Sequence, residues 1–289
     1  MKFHGITGVL LAAGLMVALP AGAEQQARTL TIGTNNWAEN IAVANLWQQL
    51  LTEQGYEVEL ESVAKSVLFS ALAEGDLDVS LELWLPFTDR QFIEPYEDRI
   101  EVGEIWYDVK ALSGLIVPEY VEIDSIGELA GRGETFAFNG QPTIVGIDSG
   151  AAIAGQTDEA IERYALDGFR QINSSEPAMM ATLDEAYNNR EPLVVTLWRP
   201  HWAFAEYNLK YLEDPERVYG EGDDVHWMAR EGFTESHPEV AAMLDRWQMS
   251  DEQLSSLMAG IEALEDPAEG ASRWIEDHRA LVETWMTAR

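Results

Sequence analysis

Three tryptophans, Trp37, Trp84 and Trp198, stand at or just beyond the carboxyl ends of segments patterned as β-strands, where α/β folds place ligands. Indole faces are electron-rich and attract a quaternary ammonium, which carries no N–H groups that need hydrogen-bond partners. Three faces at ~0.5–2 kcal/mol each supply a few kcal/mol, short of the ~8 kcal/mol of a micromolar complex. A polar anchor and closure around the ligand must supply the rest. Position alone leaves core packing or surface exposure equally open for all three. Glu39 either faces the ammonium or caps the helix that begins beside it. Arg199 either clamps a carboxylate with its forked guanidinium or points to solvent. His201 either reaches the ligand or packs and caps, and Trp202 is a candidate for the layer behind the cage.

Other chemistries find less support. The five histidines form no H-E-x-x-H and no i, i+4 pair, and there is no cysteine, which argues against a metal centre or a thiol nucleophile. Gly146-Ile147-Asp148-Ser149-Gly150 looks like a nucleophile elbow, but its serine is one place late. Among 51 acidic residues no pair stands out as a glycosidase dyad. The expectation is no catalytic residue, no metal and no cofactor, with an exported hydrolase as the rival class. A net charge of -33 excludes nucleic acid as a partner. It also suits a salty habitat, because molar salt screens the self-repulsion.

These residues need elements to hold them in place. Lys2 and His4, the apolar run Ile6–Leu19 and Ala21-Gly22-Ala23 are laid out as a secretory leader cut after Ala23. That run is shorter than the ~20 residues of a bilayer span, so the expected product is a monomer outside the inner membrane. Leu30–Thr34, Val58–Leu60 and Asp78–Leu83 read as strands, with helices between them capped by Asn35 or Asn36 and opened by Ser66. A second β-α-β-α-β series runs through Thr143–Ile147, Ile153–Leu166, Phe169–Ile172, Glu176–Asn188 and Leu193–Leu197. Val109–Val117 and Val225–Arg230 read as paired strands joining two α/β lobes. Ser250 with Gln253, and Asp266-Pro267, open amphipathic C-terminal helices, the last carrying Ala271, Trp274, Ile275, Leu281, Val282 and Trp285. The resulting division is a leader at 1–23, the first part of lobe I at 24–115, lobe II at 116–222, and a return crossing with C-terminal helices of lobe I at 223–289.

The residues around the tryptophans bear a family resemblance. Trp37-Ala38-Glu39, Gly55-Tyr56-Glu57-Val58, Gly75-Asp76-Leu77-Asp78, Trp84-Leu85-Pro86, Val117-Pro118-Glu119-Tyr120, Gly146-Ile147-Asp148-Ser149-Gly150, Trp198-Arg199-Pro200-His201-Trp202 and Leu209-Lys210-Tyr211-Leu212-Glu213-Asp214-Pro215 occur in series. In this the chain resembles substrate-binding proteins of ABC importers for glycine betaine, proline betaine and choline. The resemblance implies a periplasmic Venus flytrap of type II with two crossing strands. It also implies a prism at Trp37, Trp84 and Trp198, a permease in the inner membrane as partner, and the amides of Ala152 and Ile153 holding a ligand carboxylate. A helix N-terminus suits an anion.

Two departures bear on the ligand. Betaine binders resemble one another in a His five places after the Trp of Trp-Leu-Pro, which is Asp89 here. Choline binders carry an acid there and another two places after the first prism Trp, matched by Glu39, but their Tyr and Asn are replaced by Ser113 and by Ala151 and Ala152. Glycine betaine leads, with choline or another methylated onium (carnitine, trimethylamine N-oxide, dimethylsulfoniopropionate) as the alternative.

Overall fold

Strand and helix alternate from the first described element, and the alternation builds two sheets. In this computed structural model the described residues are 29–287, so the leader and its cleavage point lie outside them. The first series is β1 (Thr29–Thr34), α1 (Ala38–Glu53), β2 (Glu57–Ser62), α2 (Lys65–Glu74) and β3 (Val79–Leu85). β1 pairs in parallel with both β2 and β3, as helical crossovers require. β4 (Ile100–Ile105) and β5 (Leu112–Pro118) lead to the second series. This comprises β6 (Ala137–Phe138), β7 (Gln141–Gly146), α3 (Ala152–Arg163), β8 (Arg170–Asn173), α4 (Glu176–Asn189) and β9 (Val195–Arg199). β10 (Leu209–Tyr211) precedes β11 (Asp224–Arg230), and α5 (Pro238–Arg246), α6 (Asp251–Leu264), α7 (Pro267–Asp277) and α8 (Arg279–Met286) close the chain. One sheet runs β2-β1-β3-β11-β4, and the other β10-β5-β9-β7 with β6 and β8 both on β7.

The two crossings are not paired strands. β5 lies between β9 and β10 in the second sheet, whereas β11 lies between β3 and β4 in the first. They meet in a single antiparallel bridge, Ala111–Asp223, with reciprocal N–H···O bonds of 2.8 and 2.9 Å. Each strand carries its own buried run, Leu115–Val117 and Trp227–Ala229. A longer ladder between them would pull one run out of its core.

Local signals place most helix ends. Gly75 takes a left-handed conformation (φ 81°) after α2, and Ser250 and Gln253 form a reciprocal capping box on α6. Asp266 accepts from Ala268 and Glu269 at the start of α7. Neither Asn35 nor Asn36 caps α1. Trp37 holds the cap position without a side-chain bond, and Asn35 instead accepts nothing from the helix but donates to Val63 O. The expected last helix is split at His278, whose ring stacks on Trp274 at 4.0 Å.

Trp106, Trp247 and Trp47 fill the core beside the crossing. Trp106 stacks on Trp247 at 4.0 Å, Trp47 meets Trp247 edge-on at 5.4 Å, and the Trp106 indole donates to Leu81 O. All three are packing residues.

Candidate ligand-binding site

A strand alternates its side chains, so every second residue shares a face. On β3 this puts Glu82 and Trp84 on one side, and on β9 it puts Thr196 and Trp198 inward, all four buried. Trp37 is delivered by the turn before α1. Its ring lies 6.2 Å from that of Trp198, tilted by 58°. Trp37, Trp84 and Trp198 line one cavity, together with Glu39, Asp89, Ala152 and Ile153. The N–H groups of Ala152 and Ile153 have no partner among the described residues. They offer unpaired donors at the positive end of α3.

Arg199 and His201 do not line this cavity. Because Trp198 points inward, Arg199 must point outward; it is exposed, with its guanidinium 4.9 Å from the Phe204 ring centroid. His201 is buried behind Trp198, meeting that ring edge-on at 5.0 Å. Its Nδ1 accepts the Ala203 N–H, so the proton sits on Nε2 and is donated to Glu176 Oε1 at 3.0 Å. Trp202 lies one layer further back, 5.4 Å from the His201 ring.

Polar groups beneath the tryptophans form a buried network. Lys65 Nζ lies 3.0 Å from both Asp89 Oδ2 and the Glu82 carbonyl, and both charged side chains are at most 3% exposed. Asp89 also accepts the Trp84 N–H at 2.8 Å and returns its own N–H to Trp84 O, which closes the turn after the tryptophan. The acid at this position therefore holds Trp84 in place. Asn40 donates to Glu82 at 2.9 Å.

Burial dominates the acid–base character. It pushes the Glu82 carboxyl up to about 7 against the opposing pull of Lys65 and the Asn40 bond. Asp89 is also raised by burial, despite Lys65 and the Trp84 amide. Glu39 is raised well above the usual carboxylate range, by burial first and then by the charges of Glu82 and Glu176. Glu39 Oε2 and the Trp198 Nε1 are buried without a partner of good geometry, yet the indole lies near enough to draw the carboxyl down in part.

Two bonds tie the first series to the second across this site. Trp37 Nε1 donates to Asp148 at 3.2 Å, and Glu176 Oε2 accepts the Ala38 N–H at 2.9 Å. Glu176, at the start of α4, thus caps the helix that carries Trp37 and Glu39. The sequence reading passed over Lys65, Glu82, Asp148 and Glu176. Lys65 alone left a signal, because a cation at the first position of a helix opposes the dipole and needs another purpose.

A family described as the substrate binding domain of ABC-type glycine betaine transport systems matches residues 28–277. A glycine betaine/carnitine transport binding protein of Listeria monocytogenes is 39% identical over 145 residues, which are 50% of this chain and 48% of that protein. The match thus spans about half the length of that relative. The lactococcal OpuAC structure, closed on glycine betaine, superposes with a TM-score of 0.83 at 28% identity, covering 90% of this chain and 100% of that one. An ABC-transporter choline-binding protein with choline gives 0.84 at 26% identity, over 91% and 92%. The two-sheet α/β architecture is that of these binding proteins, and the chain belongs to the family of substrate-binding domains of ABC-type glycine betaine transport systems.

Proposed function

We propose that this chain captures a small quaternary ammonium solute between two lobes and delivers it to an ABC permease in the inner membrane, as part of osmoprotection. Glycine betaine is the foremost candidate. One observation carries the reading: indoles from both α/β series meet on a single cavity that is also lined by Ala152 and Ile153, whose amides have no partner among the described residues. Such a wall suits a cation joined to an anion. Lobe I would comprise 24–115 and 223–289, lobe II 116–222, hinged near the Ala111–Asp223 bridge. The protein would act as an exported monomer after loss of residues 1–23, without chemistry on its ligand.

Choline is the second reading, favoured by Glu39 and Asp89 in the cavity wall, since a hydroxyl donates to an acid where a carboxylate is repelled. Among the described residues no helix is long and apolar enough to cross a membrane. Calorimetry of the chain from Glu24 onward against glycine betaine, choline, carnitine, proline betaine, trimethylamine N-oxide and dimethylsulfoniopropionate tests the proposal. Saturable binding of at least one is expected. Heat with none, together with turnover on an ester or glycoside panel, would favour the hydrolase instead.

A further inference from the structure

We infer that the Lys65 ammonium is the anchor for the anionic end of the bound solute and makes the cavity selective for zwitterionic oniums over bare cations. The inference rests on the proposed capture of an onium and concerns how that site chooses among them.

Lys65 lines the same cavity as the three tryptophans and is buried with its charge inside the protein. Such burial is costly twice over, through lost hydration and through the position at the N-terminal end of α2, where the helix dipole repels a cation. An ammonium has three donors. Asp89 Oδ2 and the Glu82 carbonyl take two, each at 3.0 Å, and no acceptor among the described residues takes the third. Its Nζ lies 5.6 Å from the centroid of the Trp37 ring, one wall of the cage. A second cation drawn to that cage feels repulsion from Lys65. If it carries a carboxylate, the same ammonium attracts the other end of the molecule. Ala152 and Ile153, whose amides are unpaired among the described residues, line the cavity too, so two separate features favour an anion there. Asp89 pairs with Lys65 at 3.0 Å and also accepts the Trp84 amide, so its charge is shared between two donors.

The test uses Lys65→Met and the double variant Lys65→Met with Asp89→Asn, which does not leave the Asp89 carboxylate unpaired and serves if the single variant fails to fold. Glycine betaine and tetramethylammonium, which shares the cationic head but lacks an anionic end, are titrated by calorimetry at fixed ionic strength. Glycine betaine affinity should fall by about tenfold or more, the size of a lost charge-assisted hydrogen bond, while tetramethylammonium holds or tightens. Equal loss for both ligands, or an unchanged ratio in the double variant, would overturn the inference and leave Lys65 as a partner for Asp89 alone. A parent protein that binds neither probe nor any other onium would remove the capture reading, and the anchor with it.

Discussion

Trp198→Ala is the most direct test of the cage. The ring is 4% exposed, 6.2 Å from Trp37 and 5.0 Å from His201, so truncation removes one wall of the cavity and one contact behind it. The lost cation–π face is worth ~0.5–2 kcal/mol, and with its apolar contact the loss reaches ~1–3 kcal/mol, about 5- to 150-fold in Kd. The same change empties a buried site and should lower stability by ~3–5 kcal/mol. Binding and folding must therefore be separated. Urea unfolding without ligand gives the stability loss, and calorimetry under conditions where the variant is folded gives the affinity. Trp198→Phe retains an aromatic face and should lose less affinity than Trp198→Ala. A folded Trp198→Ala protein that binds the best onium as tightly as the parent would show that this ring is core packing and that the cage reading is wrong.

With a net charge of -33, the melting temperature should rise from low to molar NaCl as repulsion is screened; a flat response in differential scanning calorimetry would count against the salty habitat. Burial lifts the Glu82 carboxyl to about 7, well above the usual carboxylate range, so the folded chain holds this proton more tightly than the unfolded one. Its contribution to stability is full below the unfolded value and is lost as pH rises through the folded one. Urea midpoints should accordingly fall less between pH 5 and pH 7.5 in Glu82→Gln than in the parent, and parallel curves would contradict the burial argument. Arg199→Ala should leave onium affinity within ~0.5 kcal/mol of the parent, because the side chain lies outside the cavity; a larger loss in calorimetry would return it to the site.

The sequence by itself was enough to read the two β-α-β series, the capping box at Ser250 and Gln253, the Asp266 cap, and Trp37, Trp84 and Trp198 near strand ends. Each of these is set by spacing over a few residues, where backbone period and local hydrogen bonding decide the outcome. The destination of each crossing strand was not legible, because β5 and β11 are both extended with a buried apolar run, and only packing assigns them to different sheets. Arg199 and His201 share a motif with Trp198, but sequence proximity did not bring them to the cavity: alternation turns Arg199 outward and the chain folds His201 behind the ring. Lys65 meets Asp89, and Glu176 caps Ala38, across separations that no local pattern encodes. Those pairings were decided by tertiary structure, since a charge taken out of water must find its partner wherever the fold brings one within reach.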